Sequence, residues 1–403
     1  MNDMTISQIS TVVNEIVQQA TGQKTIANIT KPEDFVAVAQ TALKTGYDPI
    51  INAVSQVWSR TIFAARPYNA KFASLEMDLP RYGNAVRKLS PVAAKMIDDQ
   101  RFVWPVAYDA AQTQNPIGDG QSVDHYKITK QEMLQTNFYG TAVYAQRYTI
   151  FKDQFDVAFS DAGEFGRFNT LNMMERMNDK ESFREAVARG MQANFIAAIL
   201  NEGNAVRVVH LLTEYNTETG LALTAQSVYQ PENFAPFMRW VYARIAFISR
   251  MFSERSEMYQ TVINNKPVLR HTAPENLRIA LYSKAMEQIN AMVLSDTFHD
   301  DYLRYATYEG VNFWQSIEHP DSIAVTPVYT ATDGTVKKAD AEVEQAGIFG
   351  LIHDRDALGY ALTNSWSATT PLNIDGGYWN EAYHANIKTI QDNTEKAVVL
   401  LLD

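Results

Sequence analysis

The stretch that decides the fold is residues 164–201, EFGRFNTLNMMERMNDKESFREAVARGMQANFIAAILN. Met173, Met177, Val187, Met191, Phe195 and Ile199 recur at steps near four, with Phe183 beside them, so they line one face of a helix. The opposite face carries Glu175, Arg176, Lys180, Glu181, Arg184, Glu185 and Arg189, with acids and bases at pairing distances along the helix surface. Gly203 supplies the stop, and Asn178-Asp179 marks a place for a kink or a second helix start. At 1.5 Å per residue the rod is roughly 55 Å long, well above the usual helix. A rod of that length with one apolar stripe is the spine of a domain.

Upstream, residues 1–65 read as an arm of short helices. Ile6, Ile9, Val12, Val13 and Ile16 mark one, Phe35, Val38, Ala39, Ala42 and Leu43 a second, and Pro49 opens a third. Residues 66–151 change character. An apolar segment surrounds Phe102-Val103-Trp104-Pro105-Val106. From Lys130 to Phe151, Leu134, Phe138, Ala142, Tyr144, Tyr148 and Ile150 share one parity, hence one face of a strand. A polar tip between them carries Asn115, Pro116, Gly118 and Gly120. The pattern predicts a long two-stranded ribbon, which is marginal in water by itself. Its apolar face needs cover, from the chain's own body in a single-copy protein or from a neighbour in an assembly.

Downstream of the spine, residues 206–212 and 221–224 are expected as short strands around a turn at Asn216 to Gly220. Pro231-Glu232 opens a helix striped by Phe234, Phe237, Met238, Val241, Ile245, Ile248 and Phe252. A strand at 277–282, a helix at 284–294 and a strand at 323–329 follow, the last ending at Thr332-Asp333-Gly334. This alternation makes the block α+β or α/β. Strands return at 348–352 and 366–370, with a short helix at 354–361 between them. The closing Ala397-Val398-Val399-Leu400-Leu401-Leu402 reads as a buried strand of the central sheet.

The chain of 403 residues predicts two or three folding units. Its 46% hydrophobic and 20% charged residues are those of a soluble, well-cored protein. The absence of cysteine excludes disulfides, thiolate metal sites and cysteine nucleophiles. A net charge of −11 argues against gripping nucleic acid through a basic face. No stretch reaches the ~18 uninterrupted apolar residues of a membrane span. The opening MNDMTISQIS is not a secretion signal, so the expected compartment is a cytoplasm or something assembled there.

Motifs for chemistry are lacking. No phosphate-cradling glycine loop, nucleophile elbow or H-E-x-x-H occurs. No two histidines stand at helical ligand spacing, and His299-Asp300-Asp301, being consecutive, do not converge on one ion. His353-Asp354-Arg355-Asp356 is the densest polar knot. It reads either as an acid/base pair in which an aspartate raises the basicity of His353, or as a helix start capped by Asp354. No nucleophile accompanies it, so the cap is the better reading. Trp104, Trp240, Trp314, Trp366 and Trp379 lie in apolar or strand-like segments and are expected in core or interface.

The order of elements, an arm, a ribbon, a spine helix, a mixed insertion and a return to strands, resembles the major capsid proteins of tailed double-stranded DNA bacteriophages. These have the Hong Kong 97-type fold, and the likeness is to those of small-tailed phages. The residues that carry it are 347–360 (GIFGLIHDRDALGY), Thr370-Pro371-Leu372-Asn373, Gly376-Gly377-Tyr378-Trp379, Ile317-Glu318-His319-Pro320-Asp321 leading into 323–330, and 277–282 with its helix. The resemblance implies an α+β capsid fold with an N-terminal helical arm at 1–65 and an extended β-ribbon loop at 80–151 lying on a neighbour. It implies a peripheral domain from 66–79, 152–231 and 347–403, and an axial domain from 232–346. Contacts to neighbouring copies then fall to Phe102, Trp104, Asn115, Pro116, Leu134, Phe138 and Tyr144, and the spine core to Met177, Phe183, Val187, Met191 and Phe195.

The implied function is a self-assembled icosahedral shell of pentamers and hexamers that encloses double-stranded DNA without reading its sequence. Scaffolding, portal and decoration proteins are the implied further partners. The implied place is the virion, assembled in the host cytoplasm, with no membrane, cofactor, metal or catalytic site. The alternatives are an encapsulin-like nanocompartment, a portal, or an enzyme built on His353, Asp354, Asp356 and a tyrosine.

Overall fold

The structure is a computed structural model that describes residues 70–79, 85–93, 126, 128, 130–139, 141–158, 162–266, 268–284, 287 and 307–403. The arm at 1–65, the ribbon residues Phe102, Trp104, Asn115 and Pro116, the 299–301 cluster and most of the helix expected at 284–294 lie outside the described residues.

In chain order the elements begin with strands β1 (Ala85–Pro91), β2 (Met133–Tyr139) and β3 (Thr141–Phe151), then helices α1 (Lys152–Ala158) and α2 (Ala162–Glu202). Strand β4 (Val208–His210) and helices α3 (Leu211–Thr219) and α4 (Pro231–Ser253) lead to β5 (Leu277–Tyr282) and β6 (Thr307–Val311). Four short strands follow: β7 (Ile323–Val325), β8 (Val328–Thr330), β9 (Val336–Lys338) and β10 (Val343–Gln345). The chain closes with β11 (Ile348–Asp354), β12 (Leu358–Thr369), β13 (Tyr378–Gln391) and β14 (Ala397–Leu401).

The core is a five-stranded sheet in the order β4-β14-β11-β5-β6. Successive side chains of a strand point to opposite faces, so a strand covered on both sides must be apolar throughout. That is why residues 397–401 form an unbroken apolar run. Ala397, Val399 and Leu401 join Ala188, Met191, Phe195, Ile196 and Ile199 of α2 in one core. Val398 and Leu400 face the other way, into the stripe of α4 at Phe234, Phe237, Val241, Ile245, Ile248 and Phe252. Strand β11 divides in the same way, Ile348 and Leu351 toward α2, Phe349 and Ile352 toward α4. The result is a three-layer helix–sheet–helix body. Gly350, flanked by β5 and β14, leaves no room for a side chain: a Cβ there would meet Leu281 Cδ2 at 2.7 Å and the carbonyl oxygen of Ala280 at 2.9 Å.

Two buried cations lock helix ends to β14. Arg207, fully buried, donates to Glu202 (2.6 Å), Thr261 (2.7 Å) and the Ala397 carbonyl (3.3 Å), tying the end of α2 to the sheet. Lys396 donates to the carbonyls of Phe252 (3.1 Å) and Glu254 (2.6 Å), satisfying orphan acceptors at the end of α4. Burial pushes the Lys396 ammonium down to about 8, against the pull of Glu254 and Asp354.

Several expectations are corrected. The helix α2 runs unbroken through Asn178-Asp179. Residues 206–224 are not a hairpin: Asn216 to Thr219 belong to α3, which ends at Gly220 in the left-handed conformation (φ 72°). The strand expected at 323–329 is split into β7 and β8, which pair with β10 and β9 respectively. Pro327 sits at the break, where it has no N–H for a ladder. The helix expected at 354–361 is a single 3-10 turn, Arg355–Ala357, because β12 begins at Leu358 and pairs with β13. The five-stranded sheet takes β4, β5, β6, β11 and β14 from all three segments 152–231, 232–346 and 347–403.

Candidate assembly interface

A second sheet, β12-β13-β3, is antiparallel and lies along the N-terminal half of α2. Its inner face is joined to the helix by polar and aromatic contacts. Arg176 pairs with Glu381 of β13 at 2.7 Å, with both side chains buried, and lies 4.4 Å over the Tyr148 ring. Asp179 accepts from Gln146 (2.7 Å) and from the Tyr148 hydroxyl (3.0 Å). Burial and that hydrogen bond raise the Tyr148 phenol well above its ordinary range. Tyr144 stacks on Phe183 with ring centroids 3.5 Å apart.

The charged face of the spine is therefore not a free helix surface. Arg176, Glu181, Arg184, Glu185 and Arg189 are all buried. Arg184 reaches Glu181 and Glu76, each at 3.1 Å, and Arg189 reaches Glu185 at 2.6 Å and stacks 3.7 Å over Phe313. The pairing expected along this face is present, and these five charges, covered by neighbouring elements, are kept by matching each one.

The outer face of the same sheet is covered at one end, where Lys388 and Ile390 are buried, and is open toward Val143, Trp366 and Phe151 among the described residues. Val143 is 67% exposed, Trp366 50% and Phe151 48%. The register places all three on that face: Phe151 opposite Tyr378, Val143 opposite Asn386, and Trp366 opposite His384, on which it stacks at 4.1 Å. Tyr378 meets the Phe151 ring edge-on at 5.9 Å, and Arg147 lies on the same face opposite Ala382. The ribbon β1-β2 shows a second uncovered face, where Leu89 and Met133 are each 53% exposed. Val143 and Trp366 flank the same stretch of β13, and Phe151 lies eight residues farther along β3.

A sequence model of the Phi29-like phage major capsid protein family matches residues 9–400. The chain belongs to that family. It is a phage major capsid protein, a virion component that oligomerises into the capsid shell, and its family role is structural rather than enzymatic. Two solved structures share its mixed helix-and-sheet fold. One is the capsid structure of Staphylococcus phage Andhra, 10% identical, with a TM-score of 0.52 over 85% of this chain and 86% of that one. The other is a chain from a structure of the head fiber and inner core protein gp22 of native bacteriophage P68, 10% identical, with a TM-score of 0.50 over 84% and 86%. No curated protein matches the sequence. Among the described residues no helix is long and apolar enough to cross a membrane.

In this capsid protein the residues expected at the interface divide. Tyr144 stacks on Phe183 of its own chain and stays 39% exposed. Leu134 and Phe138 are half-buried on the ribbon face shared with Lys88 and Ser90, which is turned to the body. The residues expected between Lys130 and Phe151 as one strand form two: β2 pairs with β1, and β3 with β13. Spine residues Met177, Met191 and Phe195 are buried, and Phe183 and Val187 half-buried. The exposed Val143 and Phe151 escaped because they occupy the parity opposite to the one the apolar pattern marked. Trp366 was legible as interface or core, and lies at the surface.

The knot at His353 is structural. His353 is buried, its Nδ1 sits 2.7 Å from the Asp354 carbonyl, and burial pushes it down to about 4, so it is neutral. Asp354 accepts from the Asp356 amide (2.8 Å) and the Thr272 hydroxyl (2.5 Å), which makes it a turn cap, as the better reading expected.

Proposed function

We propose that this capsid protein has the Hong Kong 97-type arrangement and builds an icosahedral shell of pentamers and hexamers around double-stranded DNA, which it encloses without reading sequence. In this reading α2 and the β12-β13-β3 sheet form the peripheral domain. The five-stranded sheet with α3 and α4 forms most of the axial domain, a redrawing of the 232–346 boundary that keeps one sheet in one unit. The extended loop expected at 80–151 is redrawn as 80–139, since β3 pairs with β13, and 1–65 form the arm. Scaffolding, portal and decoration proteins are the further partners the reading implies, with assembly in the host cytoplasm.

The observation that carries it is the uncovered outer face at Val143, Phe151 and Trp366, beside a ribbon that itself exposes Leu89 and Met133. Two apolar surfaces on one chain that do not cover each other are satisfied together when the ribbon of one copy lies on the sheet of the next. The test is particle formation by Val143→Glu and Trp366→Ser, followed by electron microscopy and sedimentation. An unpaired carboxylate buried at such a contact costs several kcal/mol, and the penalty recurs at every copy. Folded subunits that fail to form shells are expected; normal shells from both variants would overturn the reading.

A further inference from the structure

The ribbon β1-β2 is a sheet of its own, with seven register pairs between its strands and, among the described residues, no ladder to either larger sheet. One residue joins its strand β2 to β3 of the body, and its inner face is held to the body by side chains. On the inner face of β1, Lys88 donates to Asp392 (2.8 Å) and also pairs with Glu395, while Ser90 Oγ accepts from Arg270 Nη2 (3.0 Å). Arg270 completes the cluster through Glu395 (2.6 Å) and the Thr394 carbonyl (3.0 Å). The turn that supplies the acids joins β13 to β14, and so links the two larger sheets. Polar as it is, its residues 392–396 are all buried. It is fixed to the body in turn, the Asp392 amide donating to the Ala357 carbonyl (2.7 Å) and the Thr261 amide to the Asn393 carbonyl (3.0 Å). A rim pair, Lys266 with Glu132 at 2.8 Å, adds a link from the residue just before β2.

We propose that Lys88 and Arg270 are positioning residues for assembly: with Asp392, Glu395 and Ser90 they form a buried clamp that sets the direction in which the ribbon leaves the body. Anchors at Lys88 and Ser90 stand two residues, about 7 Å, apart on one strand. Two such points fix a direction, where one would leave a pivot. The reference for that direction is the turn common to both sheets, so the ribbon is registered against the whole subunit. Charge balance supports the clamp: two cations face two carboxylates. Burial alone would lower the Lys88 ammonium, yet Asp392 and Glu395 outweigh it and hold it above its ordinary value. Burial pushes the Glu395 carboxyl up, whereas Lys88 and its hydrogen bonds overcome burial to keep the Asp392 carboxyl below the usual carboxylate range.

The inference rests on the reading of the ribbon as the part laid on a neighbouring copy. The test is amide hydrogen exchange on the purified full-length protein before assembly, with shell size and yield read in parallel, for Lys88→Met, Lys88→Arg and the parent. Lys88→Met removes one of the two cations and leaves Arg270 alone against two buried carboxylates, so exchange over 85–91 and 133–139 is expected to quicken about tenfold or more. Exchange over 397–401 and α4 should stay as in the parent, and shells should become fewer or irregular in size. Lys88→Arg keeps the charge and should restore both readouts at least in part. Unchanged exchange in the ribbon with Lys88→Met would overturn the clamp, as would loosened ribbons that still give parental shells. Should Val143→Glu and Trp366→Ser assemble normally, the interface reading fails whatever Lys88 does; should they block assembly while Lys88→Met is parental, the clamp alone fails.

Discussion

The buried pair Arg176–Glu381 is the sharpest place to test how the spine is held. The two groups are 2.7 Å apart with 6% and 4% of their side chains exposed, and they join α2 to the middle strand of the β12-β13-β3 sheet. Removing one partner leaves the other charge buried without compensation, a loss of about 3–5 kcal/mol. Replacing both by apolar groups removes the desolvation penalty along with the attraction, and such swaps come out near neutral or stabilising. At about 2.1 cal/mol/K of unfolding entropy per residue, a chain of 403 residues loses roughly 4–6 °C in melting midpoint for that energy. Scanning calorimetry of the parent, Arg176→Met, Glu381→Leu and the double variant closes the cycle. Each single variant should melt lower by that amount, and the double variant should recover most of it. A single variant within about 1 °C of the parent, or a double variant showing the simple sum of the two losses, would refute the claim that this pair fixes the helix to the sheet.

Two further outcomes follow from the same geometry. Ile196, fully buried where α2 meets the five-stranded sheet, should cost about 2–5 kcal/mol when cut to alanine, seen as a lowered melting midpoint with circular dichroism at low temperature unchanged. His353 is held neutral by burial, pushed from 6.5 to about 4, so the native state binds fewer protons than the unfolded chain between those values. Its contribution is present above pH 6.5 and is lost as pH falls toward 4, on the order of 3 kcal/mol. Melting midpoints measured across that range should fall less steeply in His353→Gln than in the parent.

Much of the body was legible because periodicity reports burial directly. The stripe of α4 and the unbroken apolar run at 397–401 each match the layer they meet. Where the reading failed, the deciding fact lay elsewhere in the chain. Strand β13 went unrecognised although Trp379, Tyr383, Ala385 and Ile387 share one parity, because Glu381 interrupts them. Glu381 is an inward residue only by virtue of Arg176, some two hundred positions earlier. The same pairing covers part of the charged face of the spine, which the sequence left open, since a charged stripe reads alike whether water or a matching strand lies over it. Residues 211–219 carry Leu-Leu and Thr side chains that suit a strand, and fold as a helix whose apolar Leu211, Leu212 and Tyr215 reach the α4 core. The uncovered sheet face escaped for the opposite reason: among the described residues no further element packs over Val143, Phe151 or Trp366, so no internal pattern announces it.

The two halves of the spine do different work, and this bears on how a shell subunit keeps its shape. Residues 188–199 meet the five-stranded sheet through alanine, methionine, isoleucine and phenylalanine, contacts that are strong but tolerant of small slides. Residues 176–189 meet the second sheet and its surroundings through Arg176, Glu181, Arg184, Glu185 and Arg189, each engaged with a particular partner. Buried ion pairs add little net stability over apolar replacements, and their best-attested use is to fix register. A helix that is oily at one end and paired at the other thus sets the angle between the central body and the sheet that exposes Val143 and Trp366. In a closed shell a small error in that angle is repeated in every copy. The Arg176 cycle and the shell assays separate a role in the particle from one in the isolated subunit: an apolar double replacement that restores melting but not regular particles would be the signature of register.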